Sequence, residues 1–215
     1  MHRKTVIDFR VLGERYTFTQ PIKELKTRDL AEVADLLAQV ESYQEQGYYV
    51  VGYVSYEAAP AFEEKLAVHK APLLGEYLLY FTVHDKVETS SIPLTYEEVD
   101  LPSNWQEATS AEDYEKAIAQ IHYHLRQGDT YQVNYTVQLK QELSANPFAI
   151  YNRMVVEQEA GYNAYIEHDD MAVISMSPEL FFEQNGRELT TRPMKGTTKR
   201  GLNNDDDLKE AAWLE

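Results

Sequence analysis

The sequence predicts an α+β fold in which antiparallel β-sheets are flanked by helices. Two observations lead to this class. Segments with strand character outnumber segments with helical periodicity, and most strand segments are joined by the short connections typical of hairpins. The clearest such connection is Asn185-Gly186, because Asn-Gly between two apolar segments is the strongest short-range signal for a hairpin turn.

The amino-terminal part begins with a predicted hairpin and continues into a helix. Residues 5–12 alternate in polarity, Gly13 lies in a turn, and residues 16–19 begin the returning strand. Apolar residues then recur at helical spacing over residues 30–40, and Gly47 ends the pattern. This arrangement predicts one helix packed on a hairpin-linked sheet.

Two further strands are predicted before residue 88. The continuous apolar run at residues 48–57 favours a central strand covered on both faces. Gly52 within this run indicates a bulge or a close approach of another backbone. Residues 73–85 have the composition of a second strand.

The best candidate for a linker follows these strands, because residues 88–104 are rich in Ser, Thr, Pro and acidic side chains. The predicted organisation is therefore an amino-terminal α+β region at residues 1–88, a linker at 89–109 and a second region at 110–215. No repeat or low-complexity tract changes this division.

The second region opens with a helix that Ser110 caps, with Asp113 three residues later completing a variant of the capping box. Its predicted buried stripe consists of Tyr114, Ala117, Ile118, Ile121 and Leu125. Gly128-Asp129 then turns the chain into a predicted strand at residues 130–143.

The remaining elements follow from local signals. Pro147 at the first helical position opens another helix, which Gly161 ends. A strand at residues 171–177 and the Asn-Gly hairpin at residues 180–189 come next. The acidic run at residues 204–207 suits the positive end of a last helix. Because this helix continues to the last residue without a stop signal, we expect the reading frame to continue.

Composition excludes several classes of function. The net charge of −16 disfavours binding to nucleic acid or to anionic lipid, because such a surface repels phosphate groups. The absence of cysteine excludes disulfides, thiol nucleophiles and thiolate metal sites. No secretory signal and no apolar stretch of about 18 residues is present. We therefore expect a soluble, cytoplasmic protein without a membrane or nucleic-acid partner.

Two segments carry residues suited to chemistry, although no dinucleotide-binding, phosphate-loop, zinc-protease or serine-hydrolase motif is present. Glu179 stands before three apolar residues, which suits a general acid or base but also an exposed glutamate at a strand edge. The loop at residues 191–201 carries four cations and two glycines. Such a loop suits anion binding, or it is an ordinary solvated basic loop.

Three motifs in order give the chain a resemblance to a known family. They are GDTYQVNYT (128–136), SPELFF (177–182) and TRPMKGTTKRG (191–201). With these motifs the chain resembles the chorismate-utilising enzymes, which include the anthranilate, isochorismate and aminodeoxychorismate synthases. GYYVVGYVSYEA (47–58) is similar to the amino-terminal region of the aminodeoxychorismate branch. The resemblance covers the whole chain but only about half of a family member.

Two positions favour the aminodeoxychorismate branch within this resemblance. Lys195 occupies the place of that branch's nucleophilic lysine, where anthranilate synthases carry alanine. Gln132 stands where the water-adding enzymes carry a lysine that activates water. The resemblance thus implies that chorismate is aminated at ring carbon 4, with Lys195 as nucleophile and Glu179 as general acid. It places Arg192, Gly196, Thr197 and Gln132 as substrate-binding residues.

The resemblance also implies a cofactor and a partner. Family members need Mg²⁺ held by carboxylates, which we expect downstream of Glu215, so no metal ligand is expected within the chain. Asp205, Asp206 and Asp207 suit a helix start better than an octahedral site. Ammonia comes from a glutamine amidotransferase subunit or domain in this family. We expect the chain alone to be inactive.

Three other functions stay open at this point. One is that of an anthranilate synthase component, which Lys195 disfavours. The others are non-catalytic: a tryptophan-binding module, or a module that docks a glutaminase. The Leu-Leu-Glu-Ser effector motif of anthranilate synthases is not visible in the sequence, which weakens the tryptophan-binding alternative.

Overall fold

The computed structural model describes residues 3–68, 77–196 and 198–214, and its mixed α/β architecture with antiparallel sheets confirms the predicted class. Among these residues the strands are β1 (Lys4–Phe9), β2 (Glu14–Thr19), β3 (Lys23–Thr27), β4 (Tyr49–Val54), β5 (Leu79–His84), β6 (Glu88–Ser91), β7 (Gln106–Glu107), β8 (Leu139–Lys140), β9 (Tyr162–His168), β10 (Met171–Ser177), β11 (Leu180–Asn185) and β12 (Glu188–Arg192). The α-helices are α1 (Val33–Glu45), α2 (Ala111–Gln127), α3 (Pro147–Gln158) and α4 (Asn204–Leu214).

Contacts divide the chain into two units that are not continuous in sequence. One comprises Met1–Thr95 and Met154–Glu215, and the other comprises Tyr96–Arg153. The predicted boundaries at residues 88 and 110 differ from this division. The reason is a non-local pairing, since β9 lies beside β1 in one sheet and brings the carboxyl-terminal segment into the first unit. The first residues of the predicted linker belong to β6, which pairs with β2.

The larger sheet of the first unit has the strand order β10-β9-β1-β2-β6, and all its pairs are antiparallel. The predicted hairpin β1–β2 is confirmed. Within it Asp8 and Arg15 are cross-strand partners, and both are buried. The Nε and Nη2 groups of Arg15 each donate to an Asp8 carboxylate oxygen at 2.7 Å. This two-bond pairing compensates the burial of both charges and fixes the register of the hairpin.

The smaller sheet of the first unit has the order β3-β5-β4, so the prediction that residues 48–57 form a central strand is wrong. The central strand is β5, which is almost fully buried. The apolar run of β4 has another cause, because Val50 packs in the core under α1 while Tyr53 packs on the opposite face. The close approach predicted at Gly52 is confirmed, since a Cβ there would lie 2.0 Å from the Tyr80 carbonyl oxygen.

A buried aromatic cluster joins the two sheets of the first unit. The His168 ring on β9 lies 4.5 Å from the Tyr80 ring on β5, and Tyr53 Oη lies 2.9 Å from His168 Nε2. Burial lowers the pKa of His168 and raises the pKa of Tyr80 to about 12. Both side chains are therefore uncharged near neutral pH, as their position in the core requires.

The second unit contains α2 and the small pair β7–β8. Ser110 Oγ accepts a hydrogen bond from the Asp113 amide at 3.1 Å, which confirms the predicted cap. The predicted stripe of α2 is the less exposed face of the helix but is not fully buried: Ala117, Ile118, Ile121 and Leu125 are half-buried, and Tyr114 is exposed. The strand predicted at residues 130–143 is mostly wrong. Only Leu139–Lys140 pairs, with Gln106–Glu107, and the rest of that segment has no ladder partner among the described residues.

The carboxyl-terminal elements of the first unit follow their local signals. The predicted β11–β12 hairpin is confirmed, but its two turn residues are Gly186 and Arg187, because Asn185 still pairs with Glu188. The predicted last helix is confirmed as α4, and Asn203 Oδ1 caps it by accepting from the Asp206 amide at 3.0 Å. No helix within the described ranges is long and apolar enough to cross a membrane.

Candidate functional site

The turn between β10 and β11 orients Glu179. Ser177 Oγ accepts a hydrogen bond from the Glu179 amide at 3.1 Å and donates to the Glu179 carbonyl oxygen at 3.1 Å. Short hydroxyl-backbone bonds of this kind form a tight local turn. The Glu179 side chain is exposed instead of lying against apolar surface, so hydrogen bonds set its orientation.

The structure brings Glu179 to the loop that follows β12. The Met194 amide donates to Glu179 Oε1 at 2.9 Å, and Met194 directly precedes Lys195. A carboxylate is thus held against the backbone of the loop that carries the exposed Lys195 side chain. The two residues predicted to be catalytic lie at the same end of the β11–β12 hairpin, because Glu179 precedes β11 and Lys195 follows β12, sixteen positions later in sequence.

The two predicted substrate-binding residues after Lys195 differ in what the structure shows. Gly196 has a φ of +75°, in the left-handed region that favours glycine, so the chain turns directly after Lys195. Thr197 lies outside the described residues. The predicted role of Gly196, a backbone that approaches the substrate, is therefore compatible with a turn that only glycine adopts without strain.

The predicted four-cation island is divided in the structure. Lys199 Nζ lies 3.7 Å from a Glu210 carboxylate oxygen, and Arg200 Nη2 lies 2.7 Å from an Asp207 carboxylate oxygen. These two cations are therefore directed to α4 and away from a common anion site. The sequence does not indicate Asp207 and Glu210 as partners of the loop, because the helix dipole already explains an acidic run at residues 204–207 and Glu210 carries no local signal.

Arg192 lies at the end of β12 and lines a cavity of about 310 Å³ within the first unit. The cavity wall also includes the apolar or aromatic side chains of Phe9, Val11, Leu12, Tyr162, Leu180 and Phe182, together with Glu183. The wall is thus mostly apolar and carries one cation and one carboxylate, a composition suited to a ring with polar substituents. The sequence alone does not indicate Phe9 or Tyr162, because they meet only through the pairing of β1 with the distant strand β9.

Gln132 belongs to the second unit, and its exposed side chain makes a local contact. Gln132 Nε2 donates to Asn134 Oδ1 at 3.2 Å, and Thr130 Oγ1 donates to the Gln132 carbonyl oxygen at 3.0 Å. These bonds hold a loop at a position where a strand is predicted. The predicted substrate contact of Gln132 stays a prediction.

The described residues do not fit a Mg²⁺ site. No group of three or more His, Asp or Glu side chains able to hold a metal ion occurs within residues 3–68, 77–196 and 198–214. At the acidic start of α4, Asp206 contacts Asn203 and Lys209, while Asp207 contacts Arg200 and Gly201. These carboxylates are arranged around protein donors and not around a common centre.

Comparison with known proteins decides the family. The family model described as chorismate binding enzyme matches residues 4–215. The chain belongs to this family. Its fold is similar to that of a Bacillus anthracis protein described as a 2,3-dihydroxybenzoate-specific isochorismate synthase, with a TM-score of 0.68 at 15% sequence identity. That likeness covers 99% of this chain and 54% of the other and shows the fold alone.

The relatives differ in the activity that their names give. The chain is 36% identical over 94 residues to aminodeoxychorismate synthase component 1 of Bacillus subtilis (strain 168), which covers 44% of the chain and 20% of the relative. It is 30% identical over 112 residues to anthranilate synthase component 1 of Thermus thermophilus, which covers 52% and 24%. The aligned part is thus about a quarter or less of each relative. Similarity therefore assigns the family and leaves the member undecided.

Proposed function

We propose that this chain carries the nucleophile and the general acid of an aminodeoxychorismate synthase component I. That enzyme converts chorismate and ammonia into 4-amino-4-deoxychorismate, a step toward para-aminobenzoate and folate. The observation that supports the proposal is a carboxylate bound to the backbone directly before a lysine. Lys195 follows Met194, whose amide binds the Glu179 carboxylate at 2.9 Å. An amine and a carboxyl group at one end of the hairpin suit a covalent displacement with proton transfer.

In the first proposed step the neutral amine of Lys195 attacks ring carbon 2 of chorismate. The ring double bonds shift toward carbon 4, and the carbon–oxygen bond to the 4-hydroxyl breaks. Glu179 gives its proton to the departing oxygen, so water leaves and a carboxylate remains. The product of this step is a substrate ring joined to a secondary ammonium at Lys195.

In the second step ammonia attacks carbon 4 and the double bonds shift back. The bond between carbon 2 and the Lys195 nitrogen breaks, and the lysine returns as a neutral amine. The new ammonium group gives a proton to the Glu179 carboxylate, which restores the acid for the next cycle. Chorismate and ammonia thus give 4-amino-4-deoxychorismate and water. Two successive displacements explain how the configuration at carbon 4 is retained.

Substrate contacts complete the proposal. Arg192 suits a substrate carboxylate because a guanidinium binds carboxylates through two parallel hydrogen bonds. The Gly196 backbone, Thr197 and Gln132 are proposed as further contacts, with Gln132 unable to activate water as a lysine does. We also propose a Mg²⁺ requirement and an amidotransferase that supplies ammonia. The described residues contain no group of three or more side chains able to hold the ion, and neither step above passes through the metal.

Product analysis tests this assignment. The full-length product of the gene that encodes this chain is mixed with chorismate, MgCl₂ and ammonium, and the products are separated by chromatography. We expect 4-amino-4-deoxychorismate as the dominant product. Gln132→Lys should add a minor water-derived product, whereas Gln138→Lys, an exposed glutamine in the same unit, should not. Anthranilate or isochorismate as the main wild-type product would contradict the assignment. The 30% identity to an anthranilate synthase makes anthranilate the specific alternative.

A further inference from the structure

We propose that α4 positions the loop that follows β12 and carries Lys195, called the lysine loop below. In this proposal the side-chain oxygens of Asp207 and Glu210 hold the lysine loop as hydrogen-bond acceptors. This inference rests on the proposed function, because it concerns how Lys195 is placed to react. Asp207 Oδ1 accepts from the Gly201 amide at 2.8 Å, and Glu210 Oε2 accepts from the Thr198 hydroxyl at 2.6 Å. The two acceptors lie one helical turn apart on the same face of α4.

Steric contacts place both ends of the loop against α4. A Cβ at Gly201 would lie 2.2 Å from the Asp207 amide nitrogen, so Gly201 packs directly on the first turn of the helix. A Cβ at Gly196 would lie 3.3 Å from Leu214 Cδ2 in the last turn. Lys195 directly precedes Gly196. The helix therefore contacts the loop next to the nucleophile at one end and at Gly201 at the other.

Hydrogen bonds, and not charge attraction, account for most of the stabilisation of the lysine loop by α4. The Lys199 and Arg200 side chains are 82% and 90% exposed, whereas those of Asp207 and Glu210 are 28% and 27% exposed. Ion pairs with such exposed cations contribute little, because solvent screens them. The partly buried carboxylates instead satisfy the Gly201 amide and the Thr198 hydroxyl. An uncharged acceptor of the same shape should therefore serve as well as a carboxylate.

The position of the lysine loop should affect the rate at which Lys195 attacks the substrate. Lys195 must reach ring carbon 2 in line with the shifting double bonds, and a misplacement of about 1 Å costs on the order of 10²-fold in rate. Loosening the loop should therefore slow the covalent step more than it weakens substrate binding, because Gly196 and Thr197 supply only part of the proposed substrate contacts. Loss of folded enzyme would also lower the apparent kcat at unchanged KM, so each rate is divided by the folded fraction of that variant, measured by circular dichroism.

The test compares Asp207→Ala with Asp207→Asn in the full-length gene product, with Asp205→Ala as the matched control. Asp205 lies in the same helical turn and is exposed. We expect Asp207→Ala to lower kcat by roughly ten- to a hundredfold, with KM changed less than about threefold. Asp207→Asn keeps the Oδ1 acceptor and should stay within about threefold of wild type. Asp205→Ala should behave as wild type.

Hydrogen exchange of the peptide that contains residues 198–202 gives a readout independent of activity. We expect faster exchange in Asp207→Ala and wild-type exchange in Asp207→Asn. Equal kcat and equal exchange in Asp207→Ala and wild type would overturn the proposal, as would an Asp207→Asn variant as slow as Asp207→Ala. If wild type does not aminate chorismate, the proposed function fails, while the exchange difference still reports whether Asp207 holds the loop.

Discussion

Lys195→Ala and Lys195→Arg are both expected to lower the amination of chorismate by about 10²–10⁴-fold in the full-length gene product. The physical reason is that the proposed step needs a neutral nitrogen with a free electron pair. Alanine has no such nitrogen, and the guanidinium of arginine stays protonated at any physiological pH. The measurement is the initial rate of 4-amino-4-deoxychorismate formation at saturating chorismate and ammonium.

The arginine variant separates two roles for Lys195. If Lys195 only attracts the carboxylates of chorismate, arginine keeps the positive charge and should keep most of the activity. Lys209→Arg and Lys209→Ala are suitable controls, because Lys209 is exposed on α4 and pairs with Asp206 at 3.1 Å. Both control variants should be nearly as active as wild type. An active Lys195→Arg enzyme would contradict the nucleophilic role and show that Lys195 acts only through its positive charge.

Asp8→Ala is expected to cause the largest loss of stability, about 3–5 kcal/mol in the free energy of unfolding. The carboxylate of Asp8 is fully buried and receives two hydrogen bonds from Arg15. Removing it leaves the Arg15 charge without this partner in the interior of the sheet. Urea unfolding of the chain followed by circular dichroism measures the effect.

An exposed ion pair in the same unit provides the control for Asp8→Ala. Arg10 Nη2 lies 2.8 Å from Glu159 Oε1, with both side chains at least one-third exposed. Arg10→Ala should cost less than about 1 kcal/mol, because water screens such a pair. A loss of similar size in Asp8→Ala and Arg10→Ala would show that the buried pair does not fix the β1–β2 hairpin.

Local signals in the sequence predicted those parts of the fold that depend on neighbours in the chain. The cap at Ser110, the start of α3 at Pro147, the β11–β12 hairpin and the last helix each need only a few adjacent residues. The close backbone approach at Gly52 was predictable for the same reason, because an isolated glycine in an apolar strand indicates a bulge or a close approach of another backbone.

Pairing between distant segments was not predictable in the same way. The sequence does not show that β9 lies beside β1. The composition of β4 predicts a central strand, whereas β5 is the central strand of that sheet. Residues 130–143 have strand composition, but a ladder needs a partner, and most of this segment has none among the described residues. Composition therefore indicates which faces of a strand are apolar, but it does not indicate which strands pair with each other.

The candidate site shows the same division. The motifs identified Glu179 and Lys195 as residues, while only the folded hairpin shows that the Met194 amide binds the Glu179 carboxylate. The contacts of Asp207 and Glu210 with the lysine loop were not predictable either, because they depend on how α4 packs.

Intact-protein mass spectrometry tests most directly whether Lys195 forms a covalent bond with chorismate. The full-length gene product is mixed with chorismate and MgCl₂, without ammonia, and quenched in acid. We predict a species heavier than the protein by one chorismate minus one water, located at Lys195 by peptide mapping. Glu179→Gln should suppress it, because the 4-hydroxyl leaves poorly without an acid. A wild-type protein that makes 4-amino-4-deoxychorismate but shows no such species at any quench time would contradict the covalent mechanism.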